Sequence, residues 1–227
     1  MPETNLLIKG IELLCENDND FRRLVVQELE KIIFLLDRYI KEIELFNPAY
    51  GLVGAESTDE LIIKHILDSL APASIISKLA AESKNSSPKI ADIGSGAGLP
   101  GIPLAIILPG CSFTLIERMS RRAGFLHNTK AILGIDNVII EETQLEKTAP
   151  GHFDLITFRA FKPLEPKLLK NLLKTCNEKG IIAAYKGKSI KIEEEMHPLD
   201  KICPQWETIH YKVPFLNDER HLLVIKK

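Results

Sequence analysis

KIADIGSGAGLPGIPLAI, residues 89–106, places four glycines and two prolines in eighteen positions, between a short apolar run and an apolar helix-like segment. A main chain that bare at the end of a strand lets a ligand come close, and the helix that follows offers unpaired N–H groups. In an open α/β sheet, ligands bind outside the carboxyl ends of the strands, beside the point where strand order reverses. The stretch therefore marks both a first strand and a binding loop.

The sequence on either side agrees. Short β-branched runs at 90–93, 113–117, 138–141, 153–158, 181–185, 207–213 and 221–225 predict strands. Helical segments at about 99–107, 118–132 and 164–176 separate the first five. Such alternation predicts βαβ units and a mostly parallel, doubly wound sheet. The last two strands are separated only by a turn near Leu216-Asn217-Asp218, which predicts an antiparallel edge hairpin. Before the sheet, apolar spacing predicts one helix from Phe21 to Phe46, stopped by Asn47-Pro48. A second helix is predicted from Thr58 to Ala81, behind a Ser57-x-x-Glu60 capping box. The polar stretch Glu82–Pro88 reads as a linker, dividing a helical extension (1–85), packed on the sheet, from the α/β domain (86–227).

Composition narrows the class. Of the 227 residues, 45% are apolar and 26% charged, a globular mix, and no apolar run is long enough to span a membrane. The N-terminus shows no secretion signal. Cys15, Cys111, Cys176 and Cys203 are scattered with no Cys-x-x-Cys pair, which predicts reduced thiols, no metal site and a cytoplasmic protein. Net charge is −2, but residues 1–85 carry 9 basic against 15 acidic side chains and the rest carry 20 against 16. A mildly basic back half permits an anionic partner without demanding one. No long exposed apolar stripe is evident, so a monomer is expected.

Two ligand classes suit the loop. Gly96-Ala-Gly-Leu-Pro-Gly101 satisfies the dinucleotide pattern, with Glu117 at the spacing of a ribose-binding acid. Asp92 argues otherwise: a carboxylate two residues before Gly94 repels a pyrophosphate and attracts a cation. Pro100 and Pro103 also remove two backbone donors that a pyrophosphate would use. S-adenosylmethionine carries a sulfonium, an ammonium and no phosphate, and is the better match.

The motif Asp92-Ile-Gly-Ser-Gly-Ala-Gly-Leu-Pro-Gly-Ile-Pro103 closely resembles the cofactor loop of the GidB/RsmG family. Lys64-His-Ile-Leu-Asp-Ser69, Arg159-Ala-Phe161, Lys186-Gly187 and Glu219-Arg-His-Leu-Leu-Val-Ile-Lys226 are similar to further family motifs. The resemblance implies a Rossmann-like class I S-adenosylmethionine-dependent methyltransferase that modifies N7 of a guanine in 16S ribosomal RNA, within the 30S subunit. It implies cofactor contacts at Asp92, Gly94, Gly96, Gly98, Leu99, Glu117, Leu145, Glu146 and Arg159. Two departures stand out: Gln144 replaces a basic residue before Leu145-Glu146, and Tyr50-Gly51-Leu52-Val53 replaces Tyr-Asn-Leu-Thr.

Arg159 has two readings, as a group positioned toward cofactor or guanine, or as a structural ion pair with Asp92 or Glu117. His65 and Asp68 share a helix face, but guanine N7 has no proton to lose, so transfer needs alignment and no general base. Lys64 and His65, with Arg118, Arg121, Arg122, Lys162, Lys186 and Lys188 near the strand ends, are candidate RNA contacts. Phe158-Arg-Ala-Phe161 lacks the Pro-Pro-aromatic pattern of amine methylation, and no cysteine sits where a nucleophile for carbon-5 methylation would. An NAD-dependent oxidoreductase and a non-catalytic ribosome-binding protein remain as alternatives.

Overall fold

The computed structural model describes residues 2–159, 163–203 and 205–227. Seven strands, β1 (Lys89–Ile93), β2 (Ser112–Ile116), β3 (Val138–Glu141), β4 (Phe153–Arg159), β5 (Cys176–Lys186), β6 (Trp206–Tyr211) and β7 (Arg220–Lys226), form one sheet. Their order is β3-β2-β1-β4-β5-β7-β6, parallel except for β7, which runs antiparallel to both neighbours. Strand order reverses at β1, flanked by β2 and β4, so the loop at Gly94 opens at the switch point. β1, β2 and β4 are buried over almost their whole length, as parallel strands covered on both faces must be.

Helices α1 (Pro2–Asn17), α2 (Asn19–Val25) and α3 (Leu29–Tyr50) precede the sheet, followed by α4 (Thr58–Leu61), α5 (Asp68–Leu70) and α6 (Ala73–Ala81). Within the sheet domain lie α7 (Gly101–Ile107), α8 (Ser120–Leu133), α9 (Pro166–Thr175) and α10 (Ser189–Met196). One buried cluster joins α1, α3, α6, α7 and α8 to one face of the sheet, through side chains such as Leu7, Leu36, Leu115 and Phe125. A second, under α9 and α10, covers the other face around Ile156, Leu172 and Ile192. The linker is stapled to the sheet by buried Asp154, whose carboxylate accepts from Asn85 Nδ2 and Lys89 N, both at 2.8 Å, and from Asn177.

The helices depart from their sequence reading in several places. The helix expected over Phe21–Phe46 is split at residues 26–28, and α1 and α10 were not foreseen. Asn47-Pro48 does not stop α3; Gly51, at φ +57°, does, with its N–H on Asn47 O. Pro48 sits in the last turn, and the Asn47 side chain turns outward to fix Leu52 and Val53. The helix expected over Thr58–Ala81 is interrupted by a π-helix at Ile62–Leu67 and again at Pro72. Ser57 caps Glu60 N at 3.2 Å, but the Glu60 carboxylate accepts from Glu56 N, so the box is half formed.

Candidate active site

Glycine conformation builds the loop after β1. Gly94, Gly96 and Gly98 hold φ of +69°, +57° and +92°, values costly for any side chain. Gly98 is required twice over, since a Cβ there would lie 2.6 Å from Ile102 Cγ1. Gly101 is required by packing alone: its Cβ would meet Leu115 at 2.3 Å and Asp92 at 2.7 Å. Gly94 N and Ser95 N bond Ile116 O at 2.8 and 3.2 Å, drawing the loop over the end of β2. The buried Glu117 carboxylate accepts from Gly96 N (3.0 Å) and Met119 N (2.8 Å), with lone pairs to spare. From the helical segment, the fully buried Tyr39 hydroxyl donates to Ala97 O at 2.7 Å.

A cavity of about 520 Å³ opens over this loop, floored by Ile93, Gly94, Ile116 and Glu117 and walled by residues 143–146 and α9. Of the cofactor residues read from the sequence, Gly94, Glu117, Leu145 and Glu146 line it. Gly96, Gly98, Leu99 and Asp92 are buried and do not line it. Asp92 is wholly buried, with Oδ2 on Gly101 N at 3.0 Å and Oδ1 without a partner among the described residues. Burial pushes its pKa up to about 7, against the lowering effects of the Gly101 N–H, Ser95 and the Arg159 charge. The first N–H of α7 after Pro100 is thus already held by a carboxylate and is not offered to a phosphate.

Arg159 pairs with neither Asp92 nor Glu117. Its Nη1 donates to Lys64 O (3.0 Å) and to Asp68 Oδ2 (3.0 Å), and its Nη2 lies 2.8 Å from His65 Nδ1. The reason lies in the π-helix, which turns Lys64 and His65 carbonyls toward the end of β4. Asp68 is therefore no surface residue: it is 4% exposed, and its Oδ1 also takes Tyr211 OH at 3.1 Å and Arg220 Nε at 3.3 Å. Burial and the neighbouring Arg159 charge hold the His65 pKa down at about 4, while a hydrogen bond with the Gly54 backbone acts the other way. His65 is a neutral acceptor for Arg159. These groups face a separate cavity of about 490 Å³ over β4, β5 and the start of β7, which also contains Lys64 and Lys186.

The remaining cations divide. Arg118 and Arg122 line the first cavity, Arg122 Nη2 reaching Gly51 O at 3.3 Å, and Arg121 lies 5.7 Å over the Tyr50 ring. Lys188 is exposed. Lys186 is not free for RNA: its Nζ sits 2.7 and 2.8 Å from the two Glu195 oxygens on the unforeseen α10. Lys162 lies outside the described residues. Sequence reasoning missed Tyr39 and Tyr211, whose partners lie far away in the chain, and gave Arg220 no role beyond its place in the closing motif. Among the described residues there is no cluster able to hold a metal ion, and no helix is long and apolar enough to cross a membrane.

The fold resembles solved S-adenosyl-L-methionine-dependent methyltransferases. The Methanococcus maripaludis protein of that assignment aligns with TM-score 0.58 at 15% identity, over 83% of this chain and 91% of that one. An Aquifex aeolicus SAM-dependent methyltransferase aligns with TM-score 0.51 at 13% identity, over 70% and 90%. Sequence relatives are much nearer. The ribosomal RNA small subunit methyltransferase G of Treponema denticola is 36% identical, over 98% of this chain and 94% of its own. That of Treponema pallidum (strain Nichols) is 40% identical, over 84% and 83%. The family model for rRNA small subunit methyltransferase G, GidB, matches residues 32–223. The chain belongs to the GidB family.

Proposed function

We propose that this protein transfers the methyl group of S-adenosylmethionine to N7 of a guanine in 16S ribosomal RNA, with the 30S subunit as substrate, as a monomer in the cytoplasm. The observation that carries the ligand class is the pair of acids around the loop. Asp92 occupies the N–H at the start of α7, while Glu117 presents its carboxylate at the end of β2. A pyrophosphate would lose a donor to Asp92 and meet the Glu117 carboxylate. A phosphate-free nucleoside bearing positive charge meets the Glu117 carboxylate as acceptor for its diol and asks nothing of the helix N–H that Asp92 holds. The residues present therefore fit S-adenosylmethionine, which when bound supplies an electrophilic methyl group.

In this reading Glu117 accepts from the ribose hydroxyls, and Leu145 and Glu146 frame the adenine. The backbone at Gly94, supported by Gly96, Gly98 and Leu99, lets the methionine portion approach. The protein's task is positioning, because N7 attacks with its own lone pair and loses no proton. His65 suits that chemistry: it is neutral and already accepts from Arg159, so it is not poised to remove a proton. Arg118 and Arg122 at the cavity mouth offer charge to the RNA backbone.

The test is methylation with labelled S-adenosylmethionine of 30S subunits from cells lacking the gene, followed by borohydride and aniline treatment, which cuts at 7-methylguanine. Label at a single cleavable guanine is expected. Label without cleavage would overturn the N7 assignment and retain the transferase. Cofactor binding without label on subunits or free 16S RNA would overturn the substrate.

A further inference from the structure

Phe215, between β6 and β7, stands in a backbone conformation that suits a different residue. Among the described residues, glycines aside, only Lys84 and Phe215 hold left-handed φ, Phe215 at +65°. Leu216 N bonds Val213 O at 3.2 Å, which closes a β-turn over Val213-Pro214-Phe215-Leu216. Pro214 at its second position and a positive φ at its third make it a type II turn, where glycine is favoured because a side chain is strained there. Burial does not offset that strain. Phe215 is 48% exposed, whereas Val213 and Leu216 on either side pack into the larger buried cluster. The turn is therefore anchored at both ends and presents an aromatic ring to solvent. Strain kept without a packing gain points to a use outside the fold.

The turn's place in the fold says what meets it. β7 is antiparallel to β5, with His221 opposite Lys186, so the loop before β7 lies at the carboxyl edge of the parallel strands. That is the edge on which the cofactor loop opens, and an RNA that reaches the cofactor must lie across it. The charges of the loop do not favour phosphate: Lys212 stands against Asp218 and Glu219. Asp218 lies 3.8 Å from Arg220 Nη2, and the Glu219 carboxylate accepts from Ser189 N at 3.3 Å. What the turn offers RNA is the face of a ring. We infer that Phe215 is a stacking platform for a base of the RNA strand lying along this edge. The inference rests on the ribosomal RNA substrate proposed above and adds a contact to it. Stacking on an aromatic ring tolerates any base, since every base has a π-face. The anchored turn fixes the ring before RNA arrives, so little freedom is lost on binding.

The experiment measures methylation of 30S subunits by wild type, Phe215→Gly, Phe215→Leu and Phe215→Trp, with urea unfolding of each. KM for 30S is expected to rise roughly tenfold for Phe215→Gly and Phe215→Leu and to stay within about twofold for Phe215→Trp, which keeps a ring. The slope of log KM against log salt is expected to be the same in all four, because no phosphate contact is lost. S-adenosylmethionine affinity, read by equilibrium dialysis, is expected not to change. The urea midpoint of Phe215→Gly is expected to hold or rise, since glycine relieves the left-handed strain. An unchanged KM for Phe215→Gly would overturn the inference, and a lowered urea midpoint for that variant would give Phe215 to the fold instead. A KM kept by Phe215→Leu would also overturn it, since an apolar contact with a ribosomal protein needs no ring. Failure of the wild-type protein to methylate any RNA would instead refute the proposed function, a result distinct from all of these.

Discussion

Asp68 holds two arginines and a tyrosine on one carboxylate, inside a contact that joins the helical segment to three strands. Breaking a buried ion pair from one side leaves the other charge stranded, at a cost of about 3–5 kcal/mol. Asp68→Asn keeps the shape and can still accept, so a loss of about 2–4 kcal/mol is expected, read from the urea midpoint. Asp92 and His65 make opposite contributions to pH dependence. Asp92 titrates near 7 in the fold against an ordinary 3.8, so the native state holds its proton longer; its contribution is greatest in acid and is lost as pH rises through about 7. His65 is depressed to about 4 from 6.5; its contribution is present above about 6.5 and is lost as pH falls toward 4. Between about pH 5 and about pH 6.5 the two slopes oppose one another. Asp92→Asn is expected to gain stability with rising pH across that window relative to wild type, and His65→Gln to lose it. Parallel curves for all three proteins would show that neither group titrates as its surroundings dictate.

At the scale of elements, the binding loop is held by its neighbours as much as by its own glycines. Tyr39 on α3 donates to Ala97 O with its hydroxyl buried, so Tyr39→Phe leaves a buried carbonyl short of a partner. A stability loss of about 1–2 kcal/mol is expected, with S-adenosylmethionine affinity falling severalfold, measured by denaturation and dialysis on one preparation. Gly98→Ala is expected to be worse on both readouts, because it adds left-handed strain to a clash with Ile102. The loop and the strand–helix order were legible because a glycine cluster and the alternation of strand and helix are local signals. Glu117 was legible as well, from its place at the end of β2. Tyr39 was not: its spacing marks only a core face, and its partner is 58 residues away. Nor were the π-helix and the Asp68–Arg159 pair legible, since a one-residue shift of helical hydrogen bonding leaves apolar periodicity almost unchanged, and the pair spans 91 residues. Lys186 looked like a free cation because α10, which carries Glu195, showed no clear apolar period of its own.

For the whole molecule, these long-range contacts make the helical segment and the sheet parts of one packing unit. α1 and α3 share a buried cluster with β2 and α8, Tyr185 OH on β5 donates to Ser69 O at 2.9 Å, and Asp154 pins the linker. A segment that merely lay on a finished domain would melt first; one that completes its core melts with it. The single tryptophan, Trp206 on β6, reports the far edge of the sheet, where its Nε1 bonds Asp200. Far-ultraviolet circular dichroism is dominated by the helices, many of them in the N-terminal segment. The two thermal transitions are expected to coincide, and S-adenosylmethionine at a hundred times its Kd is expected to shift both together, by about 2.7 kcal/mol of added stability. Helix loss ahead of the tryptophan transition would make residues 1–85 a separate unit. A shift confined to one probe would place the cofactor's contacts on that side of the linker alone, contrary to a loop clamped from both.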